Sequence, residues 1–160
     1  WCHRHAALVA PLSFVGVLVL THLTRIYDEA LHHQWVHDLE HVAYFLTACA
    51  LWALMLAAGT RRGIDRVLAV LAVIAGMAFL GAILISADQP LIDTYAATQG
   101  VDDAPHDQRI AASIIWVTGM IITVPLFLVT VWRWASLEQA TAERREALDG
   151  STSSAPRRPR

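Results

Sequence analysis

Eight histidines stand in the chain, and six of them, His22, His32, His33, His37, His41 and His106, fall on one side of its apolar runs. Imidazole ligates metals and carries protons near neutral pH. His37 and His41 are spaced i, i+4, so on a helix they share one face about a turn apart. Two imidazoles in that relation suit one metal ion. The segment HDLEH is not HExxH: Glu40 adjoins the second histidine and not the first, so a zinc-protease reading fails on its motif. His22 closes the apolar run before this pair. Asp88 and Gln89 close another, and His106, Asp107 and Gln108 open the next.

Those positions are set by long apolar elements. The 160-residue chain is 56% hydrophobic with a mean hydropathy of +0.45, too apolar for an ordinary soluble domain. Four runs reach the length a membrane helix needs, about 20 residues: Ala6 to Thr24, Leu39 to Ala58, Val67 to Ala87 and Ile110 to Trp132. VLAVLAVIAGMAFLGAILISA has no polar stripe, unlike a helix of a soluble bundle. Backbone groups in hydrocarbon must be satisfied within the segment, so these runs are read as helices. The expected fold is all-α, an integral membrane four-helix bundle. No small-residue cleavage site follows the first run, so it is not read as a signal peptide. Cys2 and Cys49 lie too far apart along this arrangement to form a disulfide framework.

Charge sets the orientation. There is no lysine. Arg4, Arg61, Arg62, Arg66, Arg133, Arg144, Arg145, Arg157, Arg158 and Arg160 fall on one side of the four runs, against only Arg25 and Arg109 on the other. That second side holds Asp28, Glu29, Asp38, Glu40, Asp88, Asp93, Asp102, Asp103 and Asp107. The positive-inside rule then places both termini in the cytoplasm, an N-in/C-in topology with acidic external loops. Two regions are expected: residues 1–135 form the four-helix transmembrane domain, and 136–160 a cytoplasmic extension. In that extension SLEQATAERREAL continues the fourth helix. GSTSSAPRRPR is expected to be a disordered basic tail suited to anionic lipid headgroups. The external segment from Asp88 to Gln108 contains QGVDDAPHDQ, a non-helical run expected to be the least rigid external part and to order over the histidines as a lid.

Each candidate has a bland reading beside the chemical one. A single interfacial histidine is more often structural, and His32 and His33 read as solvated loop residues. His3 and His5 lie on the arginine-rich side, away from the others. His22, His37 and His41 differ because they can converge inside the bundle, where ionisable groups usually mark function. Asp107 stands where a carboxylate caps a helix N-terminus, and capping and ligation both remain open for it. Cys49 is two turns below His41, and a buried cysteine is usually a small hydrophobe. Met55, Met77 and Met120 read as packing. Trp1, Trp132 and Trp134 read as interfacial aromatics, and Trp52 and Trp116 face lipid or core.

The stretch THLTRIYDEALHHQWVHDLEHVAYFLTACALW, with its His, Tyr-Asp-x-Ala-Leu and His-x-x-x-His steps and downstream Trp, resembles the CtaG-type cytochrome c oxidase assembly factors associated with bacterial caa3 oxidases. DQRIAASIIWVTG is similar to that family's Asp-Gln-x-x-x-x-x-Ile-x-Trp-Val-x-Gly signature. The resemblance covers about residues 10 to 135. Carried over position by position, the motif residues are His22, Tyr27, His37, His41, Asp107, Gln108 and Trp116. The chain departs from the pattern at Thr21, where the family has Trp, and at Thr24, where it has Pro. Family members carry further helices upstream, and where these are absent a partner is expected to complete the site. The resemblance implies a multi-pass protein of the bacterial plasma membrane that helps assemble haem-copper oxidase, handling copper for it.

Three functions therefore stand as expectations. The first is a non-enzymatic assembly factor with His22, His37, His41 and Asp107 as metal ligands, copper as the metal, and oxidase subunits or other membrane proteins as partners. Imidazole suits copper, zinc and iron alike, so the metal's identity rests on the resemblance. The second is a b-type cytochrome, with haem held between facing histidines such as His22 and His41. The third is a structural subunit of a membrane complex. Membrane lipid is an expected partner, and nucleic acid is not.

Overall fold

The computed structural model describes residues 2–56, 63–89, 91, 92, 94, 97 and 104–153. Among the described residues there are five helices and no strand: α1 (Cys2–Leu23), α2 (Ile26–His32), α3 (Gln34–Leu56), α4 (Gly63–Ser86) and α5 (Ala104–Ser153). α4 packs most extensively with α5, α1 packs with α3 and α4, and α2 packs with α3 and with α1.

Three helices, α3, α4 and α5, are each long and apolar enough to cross a membrane. The count becomes four when α1 and α2, bent by 69° at their junction, are taken as one span. The 24 residues of α4 measure about 36 Å at 1.5 Å per residue, against a hydrocarbon core of about 30 Å. The 50 residues of α5 measure about 75 Å. That is longer than a bilayer crossing needs, and its C-terminal part carries Glu138, Glu143, Arg144 and Arg145, all exposed. The helix continues to Ser153, so the first residues of GSTSSAPRRPR are helical, contrary to the expected disorder there. Residues 154–160 lie outside the described residues.

The break between α1 and α2 has a local cause. Thr24 donates its hydroxyl to the Leu20 carbonyl at 2.5 Å and accepts the Ile26 N–H at 3.3 Å. A side chain that satisfies backbone groups on both sides lets the helix stop and restart in a new direction. At the far end of α2, His33 is extended at φ −130° and donates its N–H to the Glu29 carbonyl. The connection expected as loop is therefore a seven-residue helix, and His32 belongs to it.

Small residues let the spans approach. A Cβ added at Gly76 of α4 would overlap the branched side chain of Val15 on α1. One at Gly63 would overlap the indole of Trp134 on α5. The core is correspondingly slim: Ala10, Leu54 and Ala69 form one buried cluster and Leu80, Leu84 and Ala112 another. Most large apolar side chains of α3 and α5 face outward, as expected where hydrocarbon is the solvent.

Candidate functional site

A polar chain runs between α1 and α3 near the acidic end. Tyr44 donates its hydroxyl to Glu40 Oε1 at 2.5 Å, and Thr21 Oγ1 lies 2.6 Å from Tyr44 Oη. The Thr21 hydroxyl also donates back to its own helix, to the Val17 and Leu18 carbonyls at 3.0 and 3.1 Å. Thr21 and Glu40 are 5% and 8% exposed, the two buried polar residues among those described. A carboxylate tolerates such burial only when it is hydrogen-bonded. Glu40 therefore takes the inward position on α3. His37 and His41, three residues before and one after it, are exposed on the helix flank.

His22 stands beside this chain. Its Nδ1 lies 2.9 Å from the Leu18 carbonyl oxygen and 3.1 Å from Thr21 Oγ1. A carbonyl can only accept, so in the neutral ring Nδ1 carries the proton and Nε2 the lone pair. Orientation of one ring nitrogen by a carbonyl is the usual support of a ligating histidine. His22 lines a cavity of about 260 Å³ together with Tyr27 of α2, Leu84 of α4, and Asp107, Gln108 and Ile115 of α5. The His22 and Tyr27 rings are tilted at 48° with centroids 5.7 Å apart.

His37 and His41 form a pair on α3. Their ring centroids are 4.4 Å apart, the consequence of i, i+4 spacing on a regular helix. His41 also meets the Tyr44 ring edge-on, at 6.2 Å. His37 Nδ1 lies 3.6 Å from Asp38 Oδ1.

The candidate ligands thus fall in two places: His22 and Asp107 on the cavity, His37 and His41 on the flank of α3. Among the described residues no group of three or more His, Cys, Asp or Glu side chains is gathered closely enough to hold a metal ion. Cys49 is exposed on α3. Gln108 anchors backbone: its amide nitrogen donates to the Leu84 carbonyl at 3.1 Å and its oxygen accepts the Leu91 N–H at 2.8 Å. His32 is engaged as well, with Nε2 3.0 Å from Thr94 Oγ1, while Asp28 accepts the Thr94 N–H at 3.0 Å. His32, read as a solvated loop residue, is exposed but belongs to α2 and not to a loop. Of the external segment expected to act as a lid, residues 90, 93, 95–96 and 98–103 lie outside the described residues.

Tyr44 is the residue that sequence reasoning missed. Its signal was present as an i, i+4 relation to Glu40 on one helix face, with Thr21 opposite on the neighbouring helix.

Among the described residues the structure is all-helical, with three helices, or four with the bent pair, long and apolar enough to cross a membrane, which is the make-up of a multi-pass membrane protein. Residues 4–136 match the profile of the cytochrome c oxidase caa3 assembly factors (Caa3_CtaG), and the chain belongs to that family. No curated protein and no solved structure matches it.

Proposed function

We propose that the chain is a non-catalytic assembly factor that handles copper for a haem-copper cytochrome c oxidase, with His22, His37, His41 and Asp107 as its metal-contacting residues. Copper is the cargo in this reading. The observation that carries it is the His37–His41 pair, two exposed imidazoles whose centroids are 4.4 Å apart. Imidazole nitrogen is a good copper donor. Two exposed donors leave an ion open to a further ligand from an oxidase subunit or another membrane partner, which suits transfer more than storage. The cavity at His22 and Asp107 offers a second contact point, with the lone pair of His22 on Nε2. The axial-haem alternative asks for two histidines facing across the bundle. The exposure of His41 speaks against it.

The chain is further proposed to lie in the bacterial plasma membrane with both termini cytoplasmic and the histidines external, on the arginine distribution.

Copper content of the purified protein tests the reading. Loaded protein should retain copper, His41→Ala should lose it, and His33→Ala should keep it. Retention should also fall in acid, because a protonated imidazole cannot ligate. Equal copper in the His41→Ala and unchanged proteins would sink the proposal, and a Soret band from purified protein would replace it with the haem reading.

A further inference from the structure

At the arginine-rich end of the bundle, opposite the histidines, α3 ends, α4 begins and α5 leaves the packed region. A cavity of about 130 Å³ opens there, lined by Trp52 of α3, Arg66 of α4, and Thr130, Arg133, Trp134 and Leu137 of α5. Arg66 donates Nε to the Leu54 carbonyl at 3.3 Å, which caps the C-terminal end of α3. That bond uses one of the five guanidinium N–H donors. Arg66 Nη2 is buried with no hydrogen-bond partner among the described residues. Neither Arg66 nor Arg133 has a carboxylate within ion-pair distance among those residues.

A buried cationic donor without an acceptor is costly, and more so beside hydrocarbon, where water does not compensate it. Capping explains the position of Arg66 and leaves Nη2 unexplained. The missing partner must be an acceptor that enters the cavity. Two guanidiniums on one small cavity favour an anion with several oxygens, and the guanidinium fork matches phosphate. The indoles of Trp52 and Trp134 suit the level where headgroups meet acyl chains. Met55, Leu56 and Leu126 add an apolar wall. A phosphate tethered to a hydrophobic body fits that combination better than a free one.

We infer that this cavity is a binding site for the phosphate group of an anionic phospholipid, held by Arg66 and Arg133 where α3 ends and α4 begins against the middle of α5. Basic pockets between membrane helices recognise headgroups by this chemistry. The site is independent of the histidines and of any copper reading.

Native mass spectrometry of the full chain in detergent tests it. The probes are phosphatidylglycerol and phosphatidylcholine with identical acyl chains, and inorganic phosphate as competitor. Two arginines should favour phosphatidylglycerol by about 25-fold, and Arg66→Gln or Arg133→Gln should each lower that ratio about fivefold. Arg145→Gln, on the exposed extension of α5, should leave it unchanged. If Arg66→Gln does not fold, Arg133→Gln carries the test alone, because its side chain makes no cap. Displacement of the lipid by equimolar inorganic phosphate would overturn the lipid assignment. A lipid ratio near one, or a ratio that Arg133→Gln leaves unchanged, would overturn the site.

Discussion

Glu40 shows how one buried carboxylate orders its surroundings. It turns inward on α3 because Tyr44, one turn on, donates to it and Thr21 of α1 closes the chain at Tyr44. His37 and His41 both remain exposed; His41 follows Glu40 directly and is turned about 100° away from it around the helix. Tyr44→Phe removes the donor and leaves Glu40 buried and unsatisfied. The expected loss is about 1–3 kcal/mol of stability, readable as a lower thermal midpoint in detergent. Tyr44→Phe at unchanged stability would mean that Glu40 is solvated some other way. The Thr21 hydroxyl reaches both Tyr44 Oη and His22 Nδ1, and so ties the two together.

Among the helices, the contacts that matter are those where a missing side chain lets two backbones close. Gly76 meets Val15, which is stiff at χ1 because it is branched at Cβ. Gly76→Leu must therefore separate α1 from α4 instead of displacing a flexible side chain. Overpacking of this kind costs about 1–3 kcal/mol, more than the helix propensity of about 0.8–1.0 kcal/mol recovered on replacing glycine. A lower melting temperature in detergent is expected, and a stability equal to that of the unchanged protein would refute the close approach. The α1–α2 break follows a different logic. Thr24 makes the stop by hydrogen-bonding to the backbone on both sides. The resulting 69° bend carries α2 away from the line of α1, toward the cavity that Tyr27 lines with His22.

For the chain as a whole, the separation of ten arginines from nine acids predicts that a reporter fused after Arg160 is cytoplasmic and one inserted at Gly100 is external. The reverse pattern would overturn the orientation. The all-helical class, the three spans α3, α4 and α5, and the His37–His41 pair were legible in the residues alone. Each depends on interactions within one segment: hydrocarbon compels internal backbone bonding, and i, i+4 spacing brings two rings together on any regular helix. The length of α5 was half legible, for SLEQATAERREAL announced a continued helix and its end ran further, to Ser153. What only the tertiary structure decided lies between segments. An antiparallel turn said that His22 and the α3 histidines end near each other, but not which face of α3 meets α1. The Tyr44–Glu40 bond and Thr21 settled that face, since the cost of burying a carboxylate without partners outweighs any preference of two exposed imidazoles. The sharing of one cavity by His22 and Asp107, and the orphaned Nη2 of Arg66 at the opposite end, likewise arise where separate helices pack, and no spacing along the chain encodes them.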